Sequence, residues 1–263
     1  MKKKVLAVIL SLIFMAGLAV SVYQIASQLW EYGEGEDAYT DLEAYLEMPS
    51  GSEKSLEPPP SSSESGETVL EELQSQWPTV DFEALAEINP DIVGWITIED
   101  TEINYPIAQG SDNQYYLKHL FSGEYNSSGC IFLDCRVADD FSDQHSILYG
   151  HHMKNGTMFS GLDQYKKQEF YNVHPYALLM TPNGNYTVRF FAGYVASVED
   201  NVWNVGFGSD AEFEAWLEEA RDRSLFESDV PVAATNRILT LSTCSYEFNN
   251  ARFVLHAVLC SDG

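Results

Sequence analysis

TLSTCSYEFNNAR, residues 240–252, joins two strand-like runs through a turn. The apolar and β-branched run Ile238–Thr243 precedes the turn, and a second such run, Arg252–Leu259, follows it. Serine, asparagine and glutamate between them supply the chemistry of a turn. The pattern predicts a hairpin that places Cys244 where one strand ends and Arg252 where the next begins.

A thiol beside a guanidinium has a chemical use. The fixed positive charge of Arg252 favours the thiolate form of Cys244, and it stabilises the oxyanion that forms when a thiolate attacks a carbonyl. The same residues are also compatible with a buried structural cysteine beside a surface arginine. The hairpin alone leaves both interpretations open.

A second motif supplies an acid–base group. Residues 146–153 read SILYGHHM, a short apolar strand that ends on Gly150 and is followed by His151 and His152. A histidine at a strand end is well placed to serve as acid and base for a cysteine elsewhere in the fold. The two motifs together favour a catalytic site.

These motifs resemble those of the sortases, in detail those of the class B sortases, which are membrane-anchored transpeptidases of Gram-positive bacteria. The similarity lies in TLSTC at 240–244, in Arg252 eight residues after Cys244, and in YGHHMKNGTMF at 149–159. It extends upstream in the same order through four further motifs: Val93–Ile96, Ile103–Ile107, Asp112–Leu117 and Gly129–Asp134. The resemblance covers roughly residues 80–260.

The resemblance implies a transpeptidation that needs no cofactor. Cys244 would attack the threonine carbonyl of a short sorting motif near the C-terminus of a secreted protein. His151 would protonate the departing amine, and Arg252 would steady the oxyanion and the substrate. An amine of a peptidoglycan precursor or of a pilin lysine would then resolve the thioacyl enzyme, because a thioester stores the acyl group until an amine competes with water.

The resemblance also assigns weaker roles to two polar residues. Asn104 and Ser242 match positions that line the sorting-signal groove, although each also fits an ordinary polar residue of a strand. Of the adjacent histidines the resemblance selects His151, and His152 is expected to point the other way if the chain is still extended there.

The remaining pattern is that of a mainly β protein. Eight short runs rich in β-branched and aromatic residues are separated by Gly, Asn, Asp and Pro: 93–98, 102–107, 129–133, 146–149, 176–181, 186–198, 237–243 and 252–259. Such a pattern indicates a barrel or a sandwich, and the resemblance implies a closed sortase-type β-barrel with peripheral helices. Helices are predicted over 81–88, with Asp81 as N-cap, over 158–168, and over 209–223, where Ser209 and Glu212 form a capping box.

The N-terminus predicts a membrane anchor, residues 1–30. Three lysines precede Val5–Leu29, a segment of 25 residues without a charged side chain. A helix of that length spans the ~30 Å hydrocarbon core with some tilt. The lysines before it and the acidic residues after it place the N-terminus inside and the bulk of the chain outside the cell. A cleaved signal peptide is the alternative, but its apolar region would be shorter and would end at a small-residue cleavage site.

An acidic tether is predicted over residues 31–66. It carries ten acidic residues and a single lysine, and it ends in a Pro- and Ser-rich run, Pro58–Ser63. Such a segment buries too little apolar surface to offset its ordering entropy, and we expect it to hold the catalytic domain, residues 67–263, off the membrane.

Composition restricts the partners. The 263 residues include 14 basic and 40 acidic side chains, a net charge of −26. Nucleic acids require positive potential on the protein and are therefore excluded as partners. No metal site is expected, because the cysteines and histidines lack the spacing of zinc ligands. Among the four cysteines, a bridge between Cys130 and Cys135 is left open, and Cys244 must stay free if it is the nucleophile.

Two other classes of function remain open. A membrane-anchored cysteine peptidase would use the same three residues with water as the acceptor. A non-catalytic tethered surface module would use none of them. The sequence does not define the sorting motif, the accepting amine or the oligomeric state.

Overall fold

Eight strands form a closed barrel in the computed structural model, which describes residues 2–47 and 77–261. The strands are β3 (Ile92–Thr97), β4 (Asn104–Ala108), β5 (Ile131–Leu133), β6 (His145–Tyr149), β7 (Tyr176–Thr181), β8 (Gly184–Ser197), β9 (Arg237–Cys244) and β10 (Ala251–Ser261). The order around the barrel is β10-β8-β7-β3-β4-β5-β6-β9. The expected barrel is confirmed, and all eight strands begin and end within about two residues of the predicted bounds.

Strand direction brings the two sequence motifs together. Most neighbours are antiparallel, but β4 and β5 run parallel, as do β6 and β9, with Tyr149 of β6 opposite Ser242 of β9. Their C-terminal ends therefore lie at the same end of the barrel. The antiparallel partner β10 then returns beside β9 with Arg252 directly opposite Cys244.

The side chains of β9 alternate between two environments. Leu239 and Leu241 are fully buried in the main core, which fills the barrel. Ile238 belongs to a second cluster on the outer wall. Ser242 and Cys244 follow Ile238 at even spacing along the strand and share this outer wall.

A helix, α4 (Asp210–Asp222), covers the second cluster with Phe213, Trp216, Leu217 and Ala220. Ser209 caps it by accepting a hydrogen bond from the backbone N–H of Glu212. The carboxylate of Glu212 accepts from Gly208 N–H rather than from Ser209 N–H, so the predicted capping box is only half formed.

Two buried histidines lie beneath α4. His145 Nε2 lies 2.7 Å from Thr240 Oγ1, which lies 2.7 Å from His256 Nδ1. Burial lowers the pKa of His145 to about 4 and the pKa of His256 well below its usual value. Both imidazoles are therefore neutral at pH 7.

The other predicted helices differ in outcome. Helix α2 (Phe82–Ile88) begins after its N-cap Asp81, as predicted. The span 158–168 is instead a 3₁₀ helix, Phe159–Lys166, followed by α3 (Gln168–Val173). Met158 has φ +59 and Lys167 is extended, so neither residue can take part in one continuous α-helix.

The N-terminal helix α1 (Lys2–Leu42) is longer than the predicted anchor. Its apolar part is long and apolar enough to cross a membrane. The side chains of residues 9–30 are exposed, and Trp30 is 70% exposed. The helix therefore carries an unpacked apolar segment that fits a bilayer.

The first part of the predicted tether is ordered, in contrast to the expectation. Gly35, Tyr39 and Leu42 repeat at helical spacing on one face of α1 and are buried against the barrel. After a 3₁₀ turn, β1 (Leu46–Glu47) pairs with β2 (Thr79–Val80). Glu34, Glu36, Asp37 and Asp41 take the solvent face, so a high acidic content did not prevent packing. The rest of the predicted tether, 48–66, and residues 67–76 lie outside the described residues.

Candidate active site

A cavity of ≈ 430 Å³ opens on the outer wall of the barrel where β6 and β9 end and β10 begins. It contains Cys244, His151, Arg252 and Ser242. The other lining residues are Asn113, Leu117, Phe132, Tyr149, Gly150, Val198, Trp203 and Thr243. Three side chains predicted as catalytic from two distant motifs thus share one cavity.

Cys244 and Arg252 form a cross-strand pair. Directly opposite residues of an antiparallel pair have Cβ atoms about 5 Å apart and on the same face. Arg252 Nη1 donates to the carbonyl of Ala251 at 2.9 Å, and Arg252 forms no ion pair within residues 2–47 and 77–261. Its charge is therefore available to a thiolate or to an oxyanion.

His151 is oriented by the backbone. Its Nε2 lies 2.7 Å from the carbonyl oxygen of Leu117. A carbonyl only accepts, so Nε2 carries a proton, and Nδ1 is the nitrogen left to exchange one. Gly150, the residue before His151, packs closely against two side chains. A Cβ at this position would lie 2.5 Å from Ile131 Cδ1 and 2.6 Å from Phe159 Cδ2. Only glycine fits at this position.

His152 takes a different environment, as expected. Its Nε2 lies 3.0 Å from Asp163 Oδ2, and its ring packs edge-on against Tyr246. It does not line the cavity.

A polar network fixes the turn that follows Cys244. Lys166 Nζ lies 2.6 Å from Glu247 Oε1, 3.2 Å from Ser245 Oγ and 2.8 Å from Asp163 Oδ1. The hydrogen bonds from Lys166 and Ser245 lower the pKa of Glu247 to about 2. Asp163 also holds His152, so this Lys166 network links the chain after Cys244 to the chain after His151.

The two predicted groove residues lie in different places. Ser242 lines the cavity, and its carbonyl accepts from Gly150 N–H at 3.1 Å. Asn104 does not line it. Its Oδ1 accepts from Trp95 Nε1 at 2.7 Å and its Nδ2 donates to Glu43 at 3.1 Å. Asn104 therefore lies where the segment around Glu43 meets the barrel, outside this cavity, and its place in the sorting-signal groove stays a prediction.

Asn113 is a cavity residue that the residue-by-residue reading missed. Its Oδ1 accepts from Cys135 N–H at 2.8 Å, which fixes the amide at the cavity. The sequence feature that could have identified Asn113 is the motif Asp112–Leu117. This motif supported the resemblance, but none of its residues was given a functional role. Leu117 belongs to the same motif and holds His151.

Tyr149 forms part of the cavity wall and is anchored from below. Its hydroxyl donates to Asp134 at 2.8 Å, and Arg136 pairs with the same carboxylate at 2.6 Å. Burial alone would raise the pKa of Asp134, but the hydrogen bonds from Arg136 outweigh it and hold this pKa at about 2. The carboxylate of Asp134 is therefore charged at pH 7 and accepts the hydrogen bond that holds Tyr149 in the cavity wall.

The cysteines differ sharply in environment. None of the four forms a disulfide, which answers the open question about Cys130 and Cys135. Burial raises the pKa of the Cys130 thiol to about 12. Cys244 is half-buried and lies in the cavity, so it is the accessible thiol beside a cation and an imidazole.

A thiol, an imidazole and a guanidinium thus share one open cavity of a closed barrel. A family model described as Sortase domain matches residues 96–260. The chain belongs to the sortase family, whose members are cysteine transpeptidases.

The relatives are sortases B. Sortase B of Listeria monocytogenes is 39% identical over 177 residues, 66% of this chain and 72% of the relative. A Staphylococcus aureus sortase B–substrate complex has a TM-score of 0.66 at 37% identity, covering 69% of this chain and 85% of that chain. A crystal structure of sortase B complexed with triglycine has a TM-score of 0.66 at 37% identity, covering 69% of this chain and 86% of that chain.

Proposed function

We propose that the enzyme is a class B-type sortase that cuts a C-terminal sorting motif of secreted proteins and joins it to an amine. The observation that carries the proposal is the convergence of Cys244, His151 and Arg252 in one open cavity. The cavity lies on the outer wall of the barrel, where an extended peptide has access from solvent.

In the first half-reaction the thiolate of Cys244 attacks the threonine carbonyl of the motif. Arg252, opposite Cys244, stabilises the negative charge that develops on the carbonyl oxygen. The C–N bond breaks as protonated His151 gives its proton to the leaving amine. The acyl group then remains on the sulfur as a thioester.

In the second half-reaction an amine attacks the thioester. Neutral His151 takes a proton from this amine, the C–S bond breaks, and Cys244 leaves as a thiolate. A sortase B has been crystallised with triglycine, which carries an unhindered primary amine. This supports an amine of that kind, such as that of a peptidoglycan precursor, as the acceptor. A pilin lysine offers the same functional group.

The proposed location is the outer face of the cell membrane. Three lysines precede the apolar segment of α1, which favours an N-terminus on the cytoplasmic side. The catalytic domain would then face outward, where secreted substrates and cell-wall precursors are found.

Product analysis tests this function. Purified enzyme is incubated with a panel of sorting-motif peptides, with and without triglycine, and products and enzyme are analysed by mass spectrometry. We expect a thioacyl adduct on Cys244 and, with triglycine, a ligated product. Cys244→Ala should form neither, whereas Cys260→Ala, at the far end of β10, should form both.

Two outcomes would contradict the proposal. Hydrolysis as the sole reaction at saturating triglycine would identify a peptidase. An adduct that persists in Cys244→Ala would place the nucleophile elsewhere.

A further inference from the structure

We propose that the barrel itself rests on the bilayer, with residues 115–128, here called the membrane-side hairpin, in the layer of zwitterionic lipid headgroups. The proposal rests on the anchoring role of α1 given above. The hairpin is closed by the bridge between His119 and Tyr125 and by a bond from Asn126 N–H to Lys118 O at 3.0 Å.

The contacts of α1 with the barrel follow an order along the helix. Glu31 accepts from Asn126 Nδ2 at 2.9 Å and from Ser127 N–H at 2.8 Å. Tyr39 donates to Gly129 O at 2.6 Å. Glu43, in the 3₁₀ turn directly after α1, accepts from Asn104. The hairpin is therefore the part of the barrel nearest to the apolar segment.

The distance from that segment is short. The charge-free run ends at Leu29, and Glu31 lies only about 3 Å further along the helix axis at 1.5 Å per residue. Each headgroup layer is about 5–7.5 Å thick, half the difference between a ~30 Å hydrocarbon core and a bilayer of about 40–45 Å. Because Glu31 binds Asn126 and Ser127 directly, their neighbour Tyr125 lies at the level of this layer.

The hairpin presents side chains suited to that layer. Tyr125 is 70% exposed and Tyr115 is 43% exposed. His119 stacks on Tyr115 at 4.0 Å and meets Tyr125 edge-on at 5.8 Å. None of the three lines the cavity. Rings with an apolar body and a polar tip are enriched at membrane–water interfaces. The net charge of −26 makes zwitterionic lipid a better partner than anionic lipid.

The arrangement connects the bilayer to the catalytic histidine. Leu117 lies within the hairpin, lines the cavity and accepts from His151. A bilayer-seated hairpin therefore sets the height of the cavity above the membrane.

Lipid cross-linking tests the proposal. The full chain is placed in phosphatidylcholine nanodiscs with the photoreactive residue p-benzoylphenylalanine at position 14, 125 or 102, and phospholipid adducts are measured by mass spectrometry after illumination. All three native side chains are exposed. Position 14 lies in the apolar segment. Position 102 lines the contact at the Glu43 end of α1, about 18 Å further along the helix than Glu31, and is the matched control.

We expect adducts from positions 14 and 125 and none from position 102. Adducts from position 14 alone would overturn the bilayer-seated hairpin and leave the anchor intact. Equal adducts from positions 125 and 102 would overturn the fixed orientation. No adduct from position 14 would overturn the anchor, and the inference with it.

Discussion

Arg252 can act on the reaction in two ways that the structure allows us to separate. Its positive charge attracts an anion from any direction, whereas its planar array of N–H donors can also hold an oxyanion at a defined angle. Its position opposite Cys244, without a carboxylate partner in the described part of the chain, serves both purposes.

We predict that Arg252→Lys lowers kcat by about 10²–10³-fold, the scale for removing one oxyanion donor. Lysine keeps the charge but loses the directed fork of donors. Steady-state kinetics and the pH dependence of thiol alkylation, measured on Arg252→Lys and Arg252→Ala, separate the two roles. Near-parental turnover in the lysine variant would refute the directed-bond role, and unchanged turnover in the alanine variant would remove Arg252 from the site.

The asparagines mark the limit of residue-scale prediction. The hairpin pattern predicted Cys244 beside Arg252, and the resemblance selected His151; the three residues share one cavity, and their catalytic roles stay a prediction. Asn104 and Asn113 are chemically identical, and only the three-dimensional path of the chain distinguishes them. The docking of α1 assigns Asn104 to another contact.

At the scale of elements, the turn after Cys244 is held by an ion-pair network rather than by its own hydrogen bonds alone. We predict that Lys166→Met lowers kcat by about tenfold with KM nearly unchanged, because the turn and the segment after His151 lose their common partner. The free energy of unfolding should change by less than about 1 kcal/mol, since partly exposed ion pairs contribute little.

Lys167→Met is the matched control, because Lys167 is an exposed neighbour outside the network. A double-mutant cycle with Glu247→Gln measures the coupling. Equal losses of kcat in the Lys166 and Lys167 variants would show that the network does not position the site.

The buried histidines predict a pH-dependent stability. The folded-state pKa of His145 is about 4, below the unfolded value of about 6.5. The unfolded chain therefore binds more protons as the pH falls below 6.5, and stability decreases. Between pH 7 and pH 5 this effect should cost about 2 kcal/mol from His145 alone.

Urea unfolding at pH 7, 6 and 5 measures the effect. The decrease should be smaller in His145→Gln than in the parent, while His119→Gln, on the membrane-side hairpin, should follow the parent. An unchanged pH dependence in His145→Gln would contradict the assignment.

Prediction at this scale succeeded where periodicity dominates. The eight strands and the amphipathic α4 follow directly from the spacing of apolar residues. The prediction over 158–168 failed because Met158 has a positive φ and Lys167 is extended, so a helix cannot run through either residue. The spacing of apolar residues carries no information about the backbone conformation of Met158 or of Lys167.

At the scale of the whole molecule, α1 combines an apolar segment that is long enough to cross a membrane with a face that packs against the barrel. The acidic composition of residues 31–47 predicted a tether because composition averages over faces. The apolar spacing of Tyr39 and Leu42 is the signal that composition hides.

We predict that a chain beginning at Glu31 is soluble and folded, and that its stability depends on this docking. In that chain Leu42→Ala should lower the free energy of unfolding by about 2 kcal/mol through the lost burial. Tyr39→Phe should cost about 1 kcal/mol through the lost hydrogen bond to Gly129. Thr40→Ala, on the exposed face, should change it by less than about 0.5 kcal/mol in urea unfolding. Parental stability of Leu42→Ala would mean that α1 does not dock in solution.

The alternation of β9 has a genetic consequence. Leu239 and Leu241 fill the barrel, and Ser242 and Cys244 line the outer cavity, so even and odd positions of one strand specify cavity and core residues. Loss of a single codon within Ile238–Ser242 would turn every side chain on one side of the deletion to the opposite surface. Loss of two codons would keep the faces but move Cys244 about 7 Å along the strand, away from Arg252. This segment of the gene therefore cannot change its length without losing either the core face or the pairing of Cys244 with Arg252.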